Sequence, residues 1–243
     1  MDSLANLRTE IVSCRRCPRL VAFRERIGRE RRREFEREEY WARPVPGFGD
    51  PEARLYVLGL APAPHGGNRT GRVFTGDKSA AFLVRALFAT GYANQPRSEN
   101  QHDGLRYSDA YISAAVRCAP PDNRPTPTER DVCFPFLERE VRLLRRLRAA
   151  IALGGFAWDQ LKTACARAYG VPRPRTPFAH GACAPLGEGL PLLWASFHPS
   201  PRNVNTGKLS APMLEEVVRR ARDSYTRTSA SGGARQPARA THG

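Results

Sequence analysis

Four cysteines are spaced to do chemistry together. Cys14 and Cys17 form a C-x2-C pair, and Cys118 and Cys133 follow about a hundred residues later. A turn between two close cysteines aims both sulfurs at one point, and two further thiolates complete a tetrahedral set. Such a set suits zinc or an iron-sulfur cluster, and the spacing alone leans towards zinc. Cys165 and Cys183 fall in a helical pattern and a loop, where buried free thiols are the plainer reading. A second group of polar residues follows three apolar runs. After Leu55–Leu60 comes a Gly-rich loop to Asp77; after Ala110–Val116 comes Arg117-Cys118-Ala119-Pro120-Pro121-Asp122-Asn123; after Leu192–Phe197 comes His198-Pro199-Ser200-Pro201-Arg202-Asn203. The glycines of the first loop allow close backbone approach to a ligand. No Gly-Lys-Ser or Gly-Lys-Thr follows, so the common nucleotide-phosphate loop is excluded.

These segments need a frame. Asn6–Ile27 reads as a helix broken at Cys14–Pro18, and Arg24–Glu39 alternates in charge as a solvated helix face does. Short apolar runs at Leu55–Leu60, Ala110–Val116, Ala149–Leu153 and Leu192–Phe197 read as strands. Helical periodicity fills Ser79–Thr90, Thr128–Leu147, Phe156–Tyr169 and Met213–Arg222. Strands separated by helices predict parallel pairing in a layered α/β sheet, with ligands beyond the carboxyl ends of the strands. One domain over 1–225 is expected, followed by a basic tail at 226–243 whose Ser, Gly, Ala, Arg and Pro predict disorder.

The formal charge of +15 comes from 39 Lys and Arg against 24 Asp and Glu, and only Lys78, Lys162 and Lys208 are lysines. A surface this positive draws polyanions, and nucleic acid is the foremost of them. The opening residues carry acids and no long apolar run exists, which is expected of a cytoplasmic protein without a membrane partner. Six cysteines in 243 residues are too sparse for a disulfide scaffold.

G-L-A-P-A at 59–63, N-R-T-G-R-V-F-T-G-D at 68–77, V-R-C-A-P-P-D-N at 116–123 and H-P-S-P-R-N-V-N-T-G at 198–207 together resemble the family 5 (type b) uracil-DNA glycosylases. The similarity runs from about Ser13 to Asp223. It implies a single α/β domain whose four-stranded parallel sheet is flanked by helices, with a 4Fe-4S cluster on Cys14, Cys17, Cys118 and Cys133. That reverses the lean towards zinc. It implies a monomer of bacterial or archaeal type that meets the nucleoid through double-stranded DNA holding uracil or other deaminated bases, hypoxanthine among them.

The resemblance also distributes roles. Phe74 matches the position on which the flipped base stacks, and His198 is expected to donate to the base carbonyl as charge develops on it. Related families place an acid or Asn in the first motif to hold water, whereas Gly59-Leu60-Ala61-Pro62-Ala63 is apolar, so the resemblance gives that work to Asp77 and Asn123. Asp77 equally fits a helix N-cap. Ala114 stands where a sister family reads the base with Asn. Gly59, Ala61 and Ala63 are expected to line the pocket, and Arg202 and Asn203 to meet DNA in a wedge spanning Pro199–Asn205. Two other readings remain: a metal-stabilised DNA-binding module without chemistry, and a hydrolase of free nucleosides. Converging polar strand ends argue against the first, and the arginine excess against the second.

Overall fold

The computed structural model describes residues 2–230. The broken N-terminal helix is two helices, α1 (Leu4–Ser13) and α2 (Pro18–Glu30), parted by the Cys14–Cys17 turn. Ser3 caps α1 by accepting from Asn6 N–H, and Pro18 occupies the first turn of α2, where its missing donor costs nothing. The charged stretch expected to run to Glu39 stops at Arg31, whose φ of +44° ends the helix, and a 3-10 turn at Arg33–Phe35 follows.

The next elements are β1 (Phe48–Gly49), β2 (Leu55–Gly59), α3 (Gly67–Thr70), α4 (Lys78–Ala89) and β3 (Ala110–Ala114). After a 3-10 turn at Pro121–Asn123 come α5 (Pro127–Leu143), β4 (Ala149–Leu153), α6 (Gly155–Tyr169), β5 (Cys183–Pro185), β6 (Leu192–Ser196), α7 (Pro201–Asn205) and α8 (Ala211–Ala230). Thr126 and Glu129 close a capping box on α5, each side chain accepting from the other's backbone N–H. Helix α8 passes the expected boundary at 226, and residues 231–243 of the expected tail lie outside the described residues.

The sheet order is β1-β3-β2-β4-β6-β5. The four expected strands do pair in parallel, but the sheet has six strands and is mixed, because β1 and β5 add antiparallel edges. Both are too short to alternate visibly, and β5 ends in a proline that suits only an edge. Alternation along the central strands divides the core. Leu55, Val57, Ile112 and Ile151 face α4 and α8, while Tyr56, Leu58, Ala150, Ala152 and Leu193 face α5 and α6. A third cluster joins Leu7, Ile11, Leu20, Val116 and Phe136 around the cysteines. The chain steps from β2 outward to β3 and then back across to β4, so the order reverses at β2. In open α/β sheets ligands bind beyond the carboxyl ends at such a reversal.

Candidate active site

Gly59 ends β2 beside Ala114 at the end of β3, and beyond the sheet the two exits stay zipped by Ala115 N–H to Gly59 O and Val116 N–H to Leu60 O, at 3.0 and 2.9 Å. The Phe74 ring lies across Gly59, where an added Cβ would fall 2.6 Å from Cζ. Glycine is required there to let the ring reach the strand end. Phe74 itself adopts φ +46°, a conformation an aromatic residue holds at a cost of about 1–3 kcal/mol.

A buried polar network imposes it. Ser98 Oγ donates to Phe74 O at 3.0 Å and lies 2.7 Å from Thr75 Oγ1. Arg72 reaches Thr75 Oγ1 at 2.8 Å, Ser98 Oγ at 3.0 Å and both oxygens of Asp103 at 2.9 and 2.6 Å. Burial opposes ionisation of Asp103, yet the Arg72 hydrogen bonds and the Leu105 and Glu99 N–H groups hold its pKa down at about 2. Arg69 ties the same loop to Glu38, to His65 O and to Gly76 O. The 68–77 motif quoted above is thus largely a scaffold for Phe74.

His198 follows β6, its ring centroid 6.2 Å from that of Phe74 and its Cβ 3.4 Å from where a Gly154 side chain would begin. Its carbonyl accepts from Asn203 Nδ2 and from Ser200 N–H, both at 2.8 Å, while neither ring nitrogen bonds another described group. Burial lowers its pKa from 6.5 to about 4, so the imidazole is neutral at pH 7 with one N–H to donate. Phe197 is fixed beneath it: its N–H donates to His180 Nδ1 at 3.2 Å and its ring stacks on His180 at 5.1 Å.

Asp77 caps α4, Oδ1 accepting from Ala80 N–H at 2.9 Å, so its expected cap role is real. Burial raises its pKa despite that bond. A Cβ on Gly66 would overlap the carboxylate, and Asp77 also borders a cleft of about 790 Å³ with Lys78, Arg85 and Arg97 on its walls.

Gly59, Phe74, Ala114 and His198 therefore come together, with Asp77 three residues along the same loop. Ala61 packs instead in the cysteine cluster, and the Ala63 carbonyl is occupied by Gly66 and Asn68 N–H. Asn123 is exposed at φ +55°, its amide without a bonded partner among the described residues. Arg202 is exposed on α7, and Asn203 serves the His198 carbonyl. Sequence reasoning missed Ser98, Asp103, Gly154 and His180, which lie in loops without periodicity and act through Phe74 and His198.

Cys14, Cys17, Cys118 and Cys133 border one small pocket of about 20 Å³, shared with Arg24. Arg24 is 2% exposed, donates to Cys118 Sγ at 2.9 Å and to Cys14 O at 3.3 Å, and has no carboxylate partner; its Nε is unbonded. The Arg117 N–H meets Cys133 Sγ at 3.3 Å. Burial raises the Cys17 pKa and pushes Cys118 and Cys133 up to about 11 and 12. Among the described residues no three or more His, Cys, Asp or Glu side chains form a site for a single metal ion.

No helix of the described residues is long and apolar enough to cross a membrane. Residues 46–222 match the model of the Uracil DNA glycosylase superfamily. The chain is 49% identical over 221 residues to the Type-5 uracil-DNA glycosylase of Mycobacterium tuberculosis (strain CDC 1551 / Oshkosh), covering 90% of this chain and 81% of the relative. It is 48% identical over 222 residues to the Type-5 uracil-DNA glycosylase of Thermus thermophilus, covering 91% and 98%. The Type-4 uracil-DNA glycosylase of Archaeoglobus fulgidus is 29% identical over 158 residues, covering 65% and 62%. The chain belongs to the type-5 uracil-DNA glycosylases of the uracil DNA glycosylase superfamily.

Proposed function

We propose that this protein hydrolyses the N-glycosidic bond of uracil, and of other deaminated bases such as hypoxanthine, after the nucleotide has flipped out of double-stranded DNA. The carrying observation is Phe74, held at a positive φ with its ring braced against Gly59, beside a neutral, unpartnered His198. A base leaving the stack loses stacking energy, and the Phe74 face returns part of it. As the bond to the sugar lengthens, negative charge gathers on the base carbonyl. The N–H of neutral His198 stabilises that charge without the cost of burying an imidazolium. Asp77, whose Oδ1 takes the Ala80 N–H and whose Oδ2 lies against Gly66, is the acid of this loop that would steer water to the sugar carbon. Asn123, exposed and unbonded, becomes useful only on DNA contact.

We assign a 4Fe-4S cluster to the four thiols, which line one pocket as the resemblance of their motifs implies. The buried Arg24, lacking a carboxylate, fits beside an anionic thiolate group. When bound, a 4Fe-4S cluster would supply Fe–S bonds that join the α1–α2 turn to the β3 exit and α5. A brown preparation absorbing near ~400 nm is expected; a colourless protein from anaerobic purification with one stoichiometric zinc overturns this assignment.

The test of activity is incubation with duplexes carrying a single uracil, read as abasic sites. Their absence at enzyme excess refutes the glycosylase reading. The same assay with hypoxanthine tests breadth: Ala114 leaves no fixed hydrogen bond to go unpaired with a different base, so excision is expected, and Ala114→Asn should narrow the range towards uracil.

A further inference from the structure

Away from the base pocket, a cleft of about 580 Å³ lies where α1 and α2 meet the segment leading to β1. Arg8, Arg15, Arg24 and Arg43 line it with Thr9, Ser13 and Trp41, and no acidic side chain is among its walls. The cleft beside Asp77 differs, because Glu38 and Glu99 offset its cations. Among the described residues Arg15 alone of the four has an acid partner, Glu25 at 2.6 Å. Arg8 is exposed and pairs with no carboxylate among the described residues, and Arg43 is exposed with its guanidinium 5.7 Å from the Trp41 ring. Trp41 is held by its Nε1–H to Pro44 O at 3.1 Å, with Gly71 against its other side. At the floor, Arg24 is desolvated and keeps one unbonded N–H.

Like charges gathered at one cleft repel each other, and that penalty falls when an oxyanion enters. Hydroxyls of Thr9 and Ser13 add donors of the kind that accompany arginine at phosphate oxygens. We propose that this cleft is a phosphate-binding site that takes a backbone phosphodiester of the DNA substrate at a distance from the flipped base. The site rests on the reading of DNA as substrate, but not on the chemistry at His198. A solvated charge face would need no buried arginine, whereas here Arg24 lines both this cleft and the thiol pocket. A phosphodiester bound here therefore places DNA against the segment that carries Cys14 and Cys17.

The test compares full-length protein with the Arg8→Ala/Arg43→Ala and Arg8→Lys/Arg43→Lys variants, none of which alters the pocket at Phe74. Binding is measured over a salt series on a duplex whose uracil analogue resists hydrolysis. The alanine pair should weaken binding at least about fivefold and make the plot of log affinity against log salt shallower by about 1, since one neutralised phosphate contributes roughly 0.9. The lysine pair should restore most of both. Single-turnover cleavage at saturating enzyme should not change. An unchanged slope and affinity for the alanine pair would overturn the proposal. So would inorganic phosphate raising the melting temperature of the parent alone while DNA binding stays the same, because the cleft would then serve a free anion. If the slope falls as expected but neither parent nor variant makes abasic sites, the glycosylase reading fails and this site stands.

Discussion

The two loops that meet over the base pocket are built on opposite plans. The loop from Leu60 to Asp77 is wired from within: Asn68, Arg69, Thr70, Arg72 and Thr75 are all buried, and their hydrogen bonds end on backbone, on one another or on Asp103, Ser98 and Glu38. The segment from His198 to Gly207 keeps Pro201, Arg202 and Thr206 at the surface, and its bonds are local, from Ser200, Asn203 and Thr206 to its own backbone. The roles proposed above would suit this difference, since a stacking wall is best fixed beforehand and a segment that meets DNA is best left exposed. The first loop spends polar groups on rigidity and the second leaves them for a partner.

The comparison is most exposed at Asp103. Asp103→Ala strands Arg72 as an uncompensated buried cation, so denaturant unfolding should show a loss of about 3–5 kcal/mol. A loss under about 1 kcal/mol, the scale of a surface pair, would mean that the loop is not held in this way.

Next comes the chemistry that each loop contributes. His198→Ala and Asp77→Asn should each slow single-turnover cleavage by at least about a hundredfold, or about 2.7 kcal/mol, with the fold intact. A near-normal rate for Asp77→Asn, alongside a stability loss of about 1 kcal/mol, would reduce Asp77 to the helix cap.

Acid sharpens the contrast further. A histidine with a lowered pKa is neutral above that pKa, so the rate should hold as pH falls through 6.5 and drop only towards about 4. The same proton uptake acts on stability: the unfolded chain binds the proton below 6.5 and the folded one does not, so the contribution of the buried neutral ring is full above 6.5 and is lost as pH falls to about 4. Asp77, raised by burial, protonates earlier than an ordinary Asp and could set the acid limb instead. If the limb survives Asp77→Asn, it belongs to His198; a midpoint near 6.5 would show that the ring is not desolvated.

The smallest effect is expected on the exposed side. Arg202→Ala should weaken duplex binding severalfold, about 1 kcal/mol, and leave cleavage of single-stranded uracil DNA unchanged. Equal losses on both substrates would remove the distinction between the loops.

The sequence carried the central strands, the main helices and the strand-end residues because apolar runs and periodicity encode them locally; Ala149–Leu153 agrees to the residue. Phe74 and His198 were legible as motif members. What supports them was not: Arg72 meets Asp103 across thirty-one positions, and His180 reaches Phe197 from a loop, so no window of sequence joins them. The edges β1 and β5 were invisible for a different reason, since two or three residues have no period. Arg24 stood in a run of alternating charge, and its burial depends on a cysteine ninety-four positions away.

Helix α8 gives the molecule a timetable. Leu214, Val217, Val218, Ala221 and Tyr225 complete the core on one face of the sheet, and Tyr92 and Tyr225 join hydroxyls there. Every strand and every residue of the base pocket emerges from the ribosome before that helix does. At about 5–20 residues per second, the pocket exists for seconds as a one-sided structure with apolar surface facing water. A chain stopped short of Leu214 would carry Phe74, Asp77 and His198 and still leave that face of the sheet uncovered by α8.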